Sequence, residues 1–172
     1  MIVIGAGKSI DQVKDILDKF KDLKIAVNYT AKDFDYDIML ALDFEPIKEM
    51  RDKIKGKIII SRDWGDDFHN RFTSESRVIK LRNNIINHFK FSGDLAVYIA
   101  EKVKELKPDI RVLTFGIDGG KGHYSGYKEQ NDADYGKKKR GKAKEPENSI
   151  DLEYSENKGE IIRLIEEVCK RI

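Results

Sequence analysis

Four residues near the start of the chain, Gly5, Gly7, Lys8 and Ser9, could together bind an anion. Glycines between a predicted strand and a predicted helix allow a tight turn and a close approach of the backbone to a ligand. Amides at a helix start favour phosphate, but the dipole contributes only about 0.3–1 kcal/mol, so Lys8 or other groups must supply the rest. We interpret the turn as a phosphate-binding loop; the alternative is a tight turn before a helix capped by Ser9. The spacing does not match a P-loop, which needs four residues between its glycines, and the third glycine of a full GxGxxG fingerprint is missing.

Polar residues at three other predicted turns could reach the same ligand. Ser92 and Gly93 stand at the entrance of a predicted helix, where they could contact a nucleotide; the alternative is an ordinary N-cap. Asn28 and Asp43 follow the second and third predicted strands. Because the carboxyl ends of parallel strands meet at one edge of a sheet, we expect both on that edge, although either alone would be unremarkable.

Asp118 is a candidate ligand for a divalent cation or for a ribose hydroxyl. It follows a strongly apolar late run through Gly116 and Ile117, and so lies where open α/β sheets keep their ligands. Side chains that could donate to a leaving phosphate or exchange a proton come soon after, namely His123, Tyr124 and Tyr127. The alternative is a surface turn rich in glycine and aspartate.

A basic run at residues 137–144 lies within an irregular stretch, 119–149, that has no apolar periodicity. Such a stretch in a compact domain is usually a functional lid or a disordered loop. Its cations, beside Tyr135, could grip phosphates or nucleic acid; the alternative is a solvated loop.

Histidines and a tryptophan elsewhere are assigned lesser roles. His69 and His88 lie among polar residues without metal-ligand spacing, so we predict groups at the surface or behind a site. Trp64, with Arg62 and Asp63, follows a predicted strand and could line the crevice, although packing is the simpler role.

Short apolar runs alternate with longer amphipathic stretches along the chain. This rhythm predicts an α/β fold: a three-layer, Rossmann-like domain with a mainly parallel sheet and helices on both faces. The predicted strands are 2–4, 25–27, 38–42, 58–60, 77–80 and 111–115. The apolar faces of the predicted helices lie within 10–20, 46–54, 95–106 and 161–168.

Length and composition indicate one domain, residues 1–172, with its own core. A formal net charge of +2 gives no overall electrostatic reason to expect a nucleic-acid or membrane partner, so any such affinity would have to be local. Cys169 is the one cysteine, and no signal peptide or membrane-spanning run is evident, so we expect a cytoplasmic protein. The 37% of charged residues is typical of proteins from hot environments.

Over residues 1–127, the order of these motifs resembles the family of unknown function number 115, which includes archaeal hydroxymethyl-dihydropterin diphosphokinases. It is more distantly similar to the small bacterial sialyltransferases with a Rossmann-like fold. The shared features are a GxGPSL-like loop, polar residues after the second and third strands, a Ser-Gly helix entrance, a strand ending in Gly-Ile-Asp, and later tyrosines. In this chain they are residues 5–10, Asn28, Asp43, Ser92, Gly93, residues 116–118, Tyr124 and Tyr127.

The resemblance implies which residues surround a nucleotide or diphosphate: Gly5, Gly7, Ser9, Asn28 and Ser92. It also implies magnesium on Asp43 or Asp118, as in the diphosphokinases, or tyrosines such as Tyr124 and Tyr127 that stabilise the departing phosphate, as in the sialyltransferases. The chain departs from the family at Lys8, where proline is usual. It also has Tyr154 and Ser155 near the place of the sialyltransferases' catalytic histidine, which argues against sialyl transfer through that base.

Together these features predict a transferase that binds a nucleotide and cleaves one of its phosphate bonds, with Mg²⁺ as the expected cofactor. It would either pass on a diphosphate or release a nucleotide from an activated sugar. The alternative is a non-catalytic module that binds a nucleotide, or a nucleic acid through the run 137–144. A dehydrogenase is disfavoured because the third glycine is missing and Asn28, not an acidic residue, follows the second strand.

Overall fold

The fold is that of a computed structural model, which describes residues 1–81, 86, 89, 91–118 and 166. Several sequence-based predictions lie outside the described residues. They concern the basic loop and the final helix, of which only Glu166 is described. They also concern four single residues: His88, His123, Tyr124 and Tyr127.

A parallel sheet of six strands, in the order β5-β4-β3-β2-β1-β6, forms the centre of the described part. The strands are β1 (Ile2–Ile4), β2 (Lys24–Val27), β3 (Ile38–Ala41), β4 (Ile58–Arg62), β5 (Arg77–Leu81) and β6 (Leu113–Phe115). Every neighbouring pair is parallel; Ile4, for example, lies opposite Ala26 on one side and Phe115 on the other. The runs of aliphatic residues in β1 to β4 suit strands that are covered on both faces.

Helical segments cover both faces of the sheet. They are the 3₁₀ helices η1 (Lys8–Gln12) and η2 (Asn28–Lys32), and the α-helices α1 (Lys14–Leu17), α2 (Phe44–Glu49), α3 (Asp66–Phe72) and α4 (Ser92–Leu106). Leu17 and Ile47 pack in clusters on one face, with Ile4 and Met39 respectively. Ile99 of α4 packs in the cluster on the other face. The predicted three-layer, Rossmann-like α/β fold with a parallel sheet is therefore confirmed.

The two-sided cover follows from the direction in which the chain crosses the sheet. From β1 to β5 each connection steps to the next strand in the same direction, whereas α4 leads back across the sheet to β6, beside β1. Since crossovers between parallel strands are right-handed, connections in opposite directions lie on opposite faces. The position of α4, alone on its face among the described helices, agrees with that rule.

Some predicted element bounds were wrong. The predicted first helix is a 3₁₀ turn followed by one α-helical turn, with Gly7 rather than Ser9 at the N-cap position. The helix predicted over 46–54 covers Phe44–Glu49, and α3 was not predicted. None of the helices in the described ranges has the length and apolar character that crossing a bilayer requires.

Candidate functional site

The carboxyl ends of β1 and β6 mark the point where the strand order changes direction. From β1 the chain proceeds to β2 on one side, and it returns to β6 on the other. At such a switch point the two following loops leave in opposite directions and open a crevice, which is where open α/β sheets bind ligands. The turn after β1 contains Gly5, Gly7 and Ser9, and the turn after β6 contains Gly116 and Asp118.

Ser9 and Asp118, 109 positions apart in the sequence, are joined by two hydrogen bonds. The Ser9 hydroxyl donates to Oδ1 of Asp118 at 2.6 Å, and the Ser9 amide donates to Oδ2 at 2.7 Å. The Ser9 hydroxyl also accepts a hydrogen bond from the Gly116 amide at 2.8 Å. The two turns therefore form one hydrogen-bonded unit, with Asp118 held from both of its carboxylate oxygens.

The glycines in these turns are required by backbone-to-backbone contact. The Gly5 amide donates to Phe115 and the Gly7 amide donates to Gly116, each to the carbonyl oxygen at 2.7 Å. A Cβ atom on Gly7 would lie 2.5 Å from Oδ2 of Asp118 and 2.8 Å from the Gly116 carbonyl oxygen. A Cβ atom on Gly5 would collide with the same carbonyl. Only glycine lets the two turns approach this closely.

These contacts define what an incoming anion would meet. The amides predicted to cradle a phosphate, those of Gly5, Gly7 and Ser9, already donate to protein acceptors. Among these acceptors, Asp118 contributes an anionic group to the start of η1. A phosphate could therefore use the Ser9 donors only by exchanging with the Asp118 carboxylate. Phosphate binding by this loop stays a prediction.

The start of α4 lies beside the same unit. A Cβ atom on Gly93 would lie 3.1 Å from Cδ1 of Ile117, the neighbour of Asp118. Ser92 is buried, with 8% of its surface exposed. It is the first residue of α4 and not the predicted N-cap, a position that Phe91 occupies. The structure thus brings the turns of Ser9, Ser92 and Asp118 to one place.

Asn28 lies at the end of β2, next to β1. Its φ of 53° is in the left-handed region, which asparagine tolerates better than most residues. Thr30 fixes this turn to β1, because its hydroxyl lies 3.0 Å from the carbonyl oxygen of Ile4. The buried Oδ1 atom of Asn28 has no hydrogen-bond partner among the residues that the structure describes. A buried acceptor without a donor among the described residues therefore belongs to the turn next to the switch point.

Asp43 is the N-cap residue of α2, at the end of β3. Desolvation is the main cause that raises the pKa of its carboxyl, the nearby Glu45 carboxylate adds to this, and Arg62 opposes it. Three strand spacings, about 14 Å, separate β3 from β6. Because Mg²⁺ binds oxygens at about 2.1 Å, the two carboxylates could share an ion only if their turns bridged this separation. No group of three or more carboxylate, histidine or cysteine side chains with metal-site geometry occurs within the described ranges.

His69 is not a surface group, contrary to one of the two roles predicted for it. It is 5% exposed in α3, and its ring lies edge-on to Phe68, with centroids 5.5 Å apart. Burial is the main cause that lowers the pKa of His69, with Lys80 adding to it, so the neutral imidazole is favoured. The Trp64 amide donates to Nε2 of His69 at 3.4 Å. His69 therefore holds the turn that follows β4.

A second set of side chains at the same edge went largely unrecognised in the sequence. Arg62 ends β4, and the rings of Phe44, Trp64 and Phe68 gather beside it. Their sequence spacing shows no motif, since Phe44 follows β3 while Trp64 and Phe68 follow β4. The signal available in the sequence was that Phe44, Arg62 and Trp64 each come within four residues of the end of a predicted strand, whereas Phe68 lies further on.

A cleft of about 470 Å³ opens at the opposite, amino edge of the sheet. It is lined by Met1, residues 21–23 and residues 109–111. Ligands of open parallel sheets bind outside the carboxyl ends of the strands, so the cleft is not the candidate site.

No family model matches the chain, and no curated protein or solved structure matches it significantly. The likeness to the family of unknown function number 115 therefore rests on the motifs alone.

Proposed function

We propose that the chain is a nucleotide-binding transferase that acts on a phosphate bond at the switch point between β1 and β6. The observation that supports the proposal is the junction of Ser9 with Asp118 at that point. It places two hydrogen-bond donors and a carboxylate where a sheet of this topology binds its ligand.

In the proposed reaction, catalysis is positional and electrostatic. Mg²⁺, when bound, would neutralise charge on the phosphate oxygens. Asp118 would turn its carboxylate from Ser9 to the ion, and the Ser9 amide and hydroxyl would then donate to a phosphate oxygen. Lys8, which is exposed beside this turn, would add a positive charge. Asn28 would accept a hydrogen bond from the ligand through its unpaired Oδ1 atom.

A thermal-shift screen of nucleoside triphosphates, nucleotide sugars and NAD, with and without Mg²⁺, tests the proposal. A ligand at about 100 times its dissociation constant adds about 2.7 kcal/mol to the free energy of unfolding. For a chain of this size, that raises Tm by roughly 5–10 °C. We expect a Mg²⁺-dependent rise with a nucleotide, smaller in Ser9→Ala and without Mg²⁺ dependence in Asp118→Asn.

Two matched variants at the amino edge control for the loss of a hydroxyl or a charge. Ser76 donates its hydroxyl to the Ile54 carbonyl, and Asp37 accepts from the Lys24 amide, both away from the switch point. Ser76→Ala and Asp37→Asn should keep the full ligand-induced rise. The proposal is wrong if NAD alone raises Tm, if no nucleotide does so, or if the Ser9 and Asp118 variants respond like the wild-type chain.

A further inference from the structure

The second cluster at the carboxyl edge, which we name the aromatic corner, consists of Phe44, Arg62, Trp64 and Phe68. The Phe44 ring lies 5.9 Å from that of Trp64 and 6.3 Å from that of Phe68, both edge-on. The Arg62 guanidinium carbon lies 5.3 Å from the centre of the Trp64 ring. Phe44 nevertheless keeps 40% of its surface exposed. The corner is thus an aromatic cluster that presents one side of Phe44 to solvent.

Two hydrogen-bond donors in the corner are buried without an acceptor. They are Nε of Arg62 and Nε1 of Trp64, and neither has a partner among the described residues. Leaving a buried donor unpaired costs about 1–3 kcal/mol, more for a charged group, so native proteins rarely do so without a reason. Here two such donors belong to side chains that contact each other.

The Asp43 carboxylate does not pair with Arg62 within the described residues. Asp43 is close enough to interact electrostatically with Arg62, but no ion pair joins the two side chains in the described part of the chain. The Trp64 turn is also held in place, because its amide is bound by His69 and the next amide, that of Gly65, donates to Asp63 at 3.0 Å. The unpaired donors therefore belong to an ordered turn.

From this geometry we propose that Arg62 and Trp64 form a binding site for the oxyanion, carboxylate or phosphoryl, of a small molecule. Guanidinium and indole groups can only donate, so their partner must be an acceptor. Because no ion pair joins Arg62 to a carboxylate within the described ranges, an anionic acceptor is favoured. The exposed side of Phe44 would cover an apolar part of the same molecule. The site is at β3 and β4, so it does not rest on the function proposed for the β1–β6 switch point.

Trp64 is the one tryptophan of the 172 residues, so its fluorescence reports directly on the corner. The probes are inorganic phosphate and oxalate, titrated at constant ionic strength against sodium chloride. We expect a saturable change in Trp64 emission with one or both oxyanions and none with chloride. Phosphate alone would identify a phosphoryl site, and oxalate alone a carboxylate site. If neither gives a saturable change, the proposal is wrong.

Three variants test whether the change in Trp64 emission comes from oxyanion binding at the aromatic corner. Arg62→Met should weaken oxyanion binding about 10- to 100-fold, as expected for loss of a hydrogen bond to a charged group. Arg51→Met removes an equal charge from an exposed position and should bind like the wild-type chain. Ser9→Ala should also keep the response, because Ser9 lies at the switch point. Equal affinity in Arg62→Met and wild type, or loss of the response in Ser9→Ala, would overturn the assignment.

A stability measurement separates binding from a purely structural role. Trp64→Phe keeps an aromatic ring but removes the Nε1 donor, so the rise in Tm that the oxyanion causes should shrink. Without oxyanion, Arg62→Met should melt at or above the wild-type temperature, since it removes an unpaired, partly buried cation. Two results together would show that both side chains serve packing only. They are a large fall in Tm for Arg62→Met without oxyanion, and an undiminished oxyanion-induced rise in Tm for Trp64→Phe.

Discussion

At the scale of single residues, the turns after β1 and β6 depend on glycines that lack a Cβ atom as much as on the polar side chains of Ser9 and Asp118. Gly7 leaves space for the Asp118 carboxylate, and that carboxylate accepts both donors of Ser9. The same glycine donates its amide to Gly116. A side chain at position 7 would therefore disturb the Asp118 contacts and the backbone pairing together.

We expect Gly7→Ala to lower the free energy of unfolding by about 1–3 kcal/mol, the usual cost of overpacking. Its Cβ atom would meet Oδ2 of Asp118 at 2.5 Å and a backbone carbonyl at 2.8 Å, so the backbone itself must shift. Denaturant unfolding followed by circular dichroism measures the change.

Gly93→Ala is the matched control. Its Cβ atom would meet only the end of the Ile117 side chain, at 3.1 Å, and α4 gains a better helix former. Its free energy of unfolding should change by less than about 1 kcal/mol. Equal destabilisation by the two substitutions would contradict the role assigned to Gly7. Because Gly7→Val would disrupt the turn with or without a ligand, Ser9→Ala is the better probe of binding.

At the scale of elements, α4 is the longest described helix and covers the middle of the sheet. Its residues Leu95, Ile99 and Val103 recur at intervals of four and are buried in the cluster that includes Val3 and Ile25. Such spacing puts the three side chains on one face of a helix. By contrast, α1 is a single turn and leaves Ile16 with 42% of its surface exposed.

Substitution of isoleucine by alanine should therefore have different effects in the two helices. Ile99→Ala creates a cavity at a residue that is 0% exposed and should cost about 2–5 kcal/mol. Ile16→Ala removes atoms that already contact solvent and should cost less than about 1 kcal/mol. Chemical denaturation of both variants is the measurement. Similar losses at the two positions would contradict the packing of α4 on the sheet.

At the scale of the whole molecule, the sheet is most protected at its centre. β2 and β3 are buried along their whole lengths and each has two neighbours. In the described part, β5 and β6 form the two edges, and Leu113 and Thr114 of β6 are exposed. Pairing of β6 with β1 also brings Asp118 to Ser9, so the candidate site at the switch point depends on an edge strand.

Hydrogen exchange followed by NMR should reflect this arrangement. We expect amides of Ala26 and Met39 to exchange only through global unfolding. The amides of Ile79 and Phe115, which point from the edge strands toward β4 and β1, should exchange at least about tenfold faster through local opening. Binding of a ligand at the switch point should slow exchange at Phe115 more than at Ile79. Equal protection of all four amides would show that the sheet opens only as one unit.

The sequence by itself determined the layers of the fold and most of the strands. Continuous aliphatic runs such as Ile2–Ile4 and Ile38–Ala41 can be satisfied only by burial on both faces, which requires a parallel sheet with helices on each side. Periodicity likewise identified α4. Periodicity overestimated the first helix, which is a 3₁₀ turn followed by one α-helical turn. The spacing shows which positions are apolar, but not that Gly116 and Asp118 bind the amides of Gly7 and Ser9 at its start.

Only the tertiary structure decided which residues meet at the carboxyl edge. Strand order is set by long-range pairing, and no local pattern shows that β6 lies beside β1 and not beside β5. That choice joins Ser9 to Asp118, gives Gly5 and Gly7 their steric role, and separates Asp43 from Asp118. The aromatic corner arises in the same way, because side chains after β3 and β4 meet only when these strands are neighbours. Physically, short-range propensity acts on consecutive residues, whereas a site at a sheet edge is assembled by packing across the whole chain.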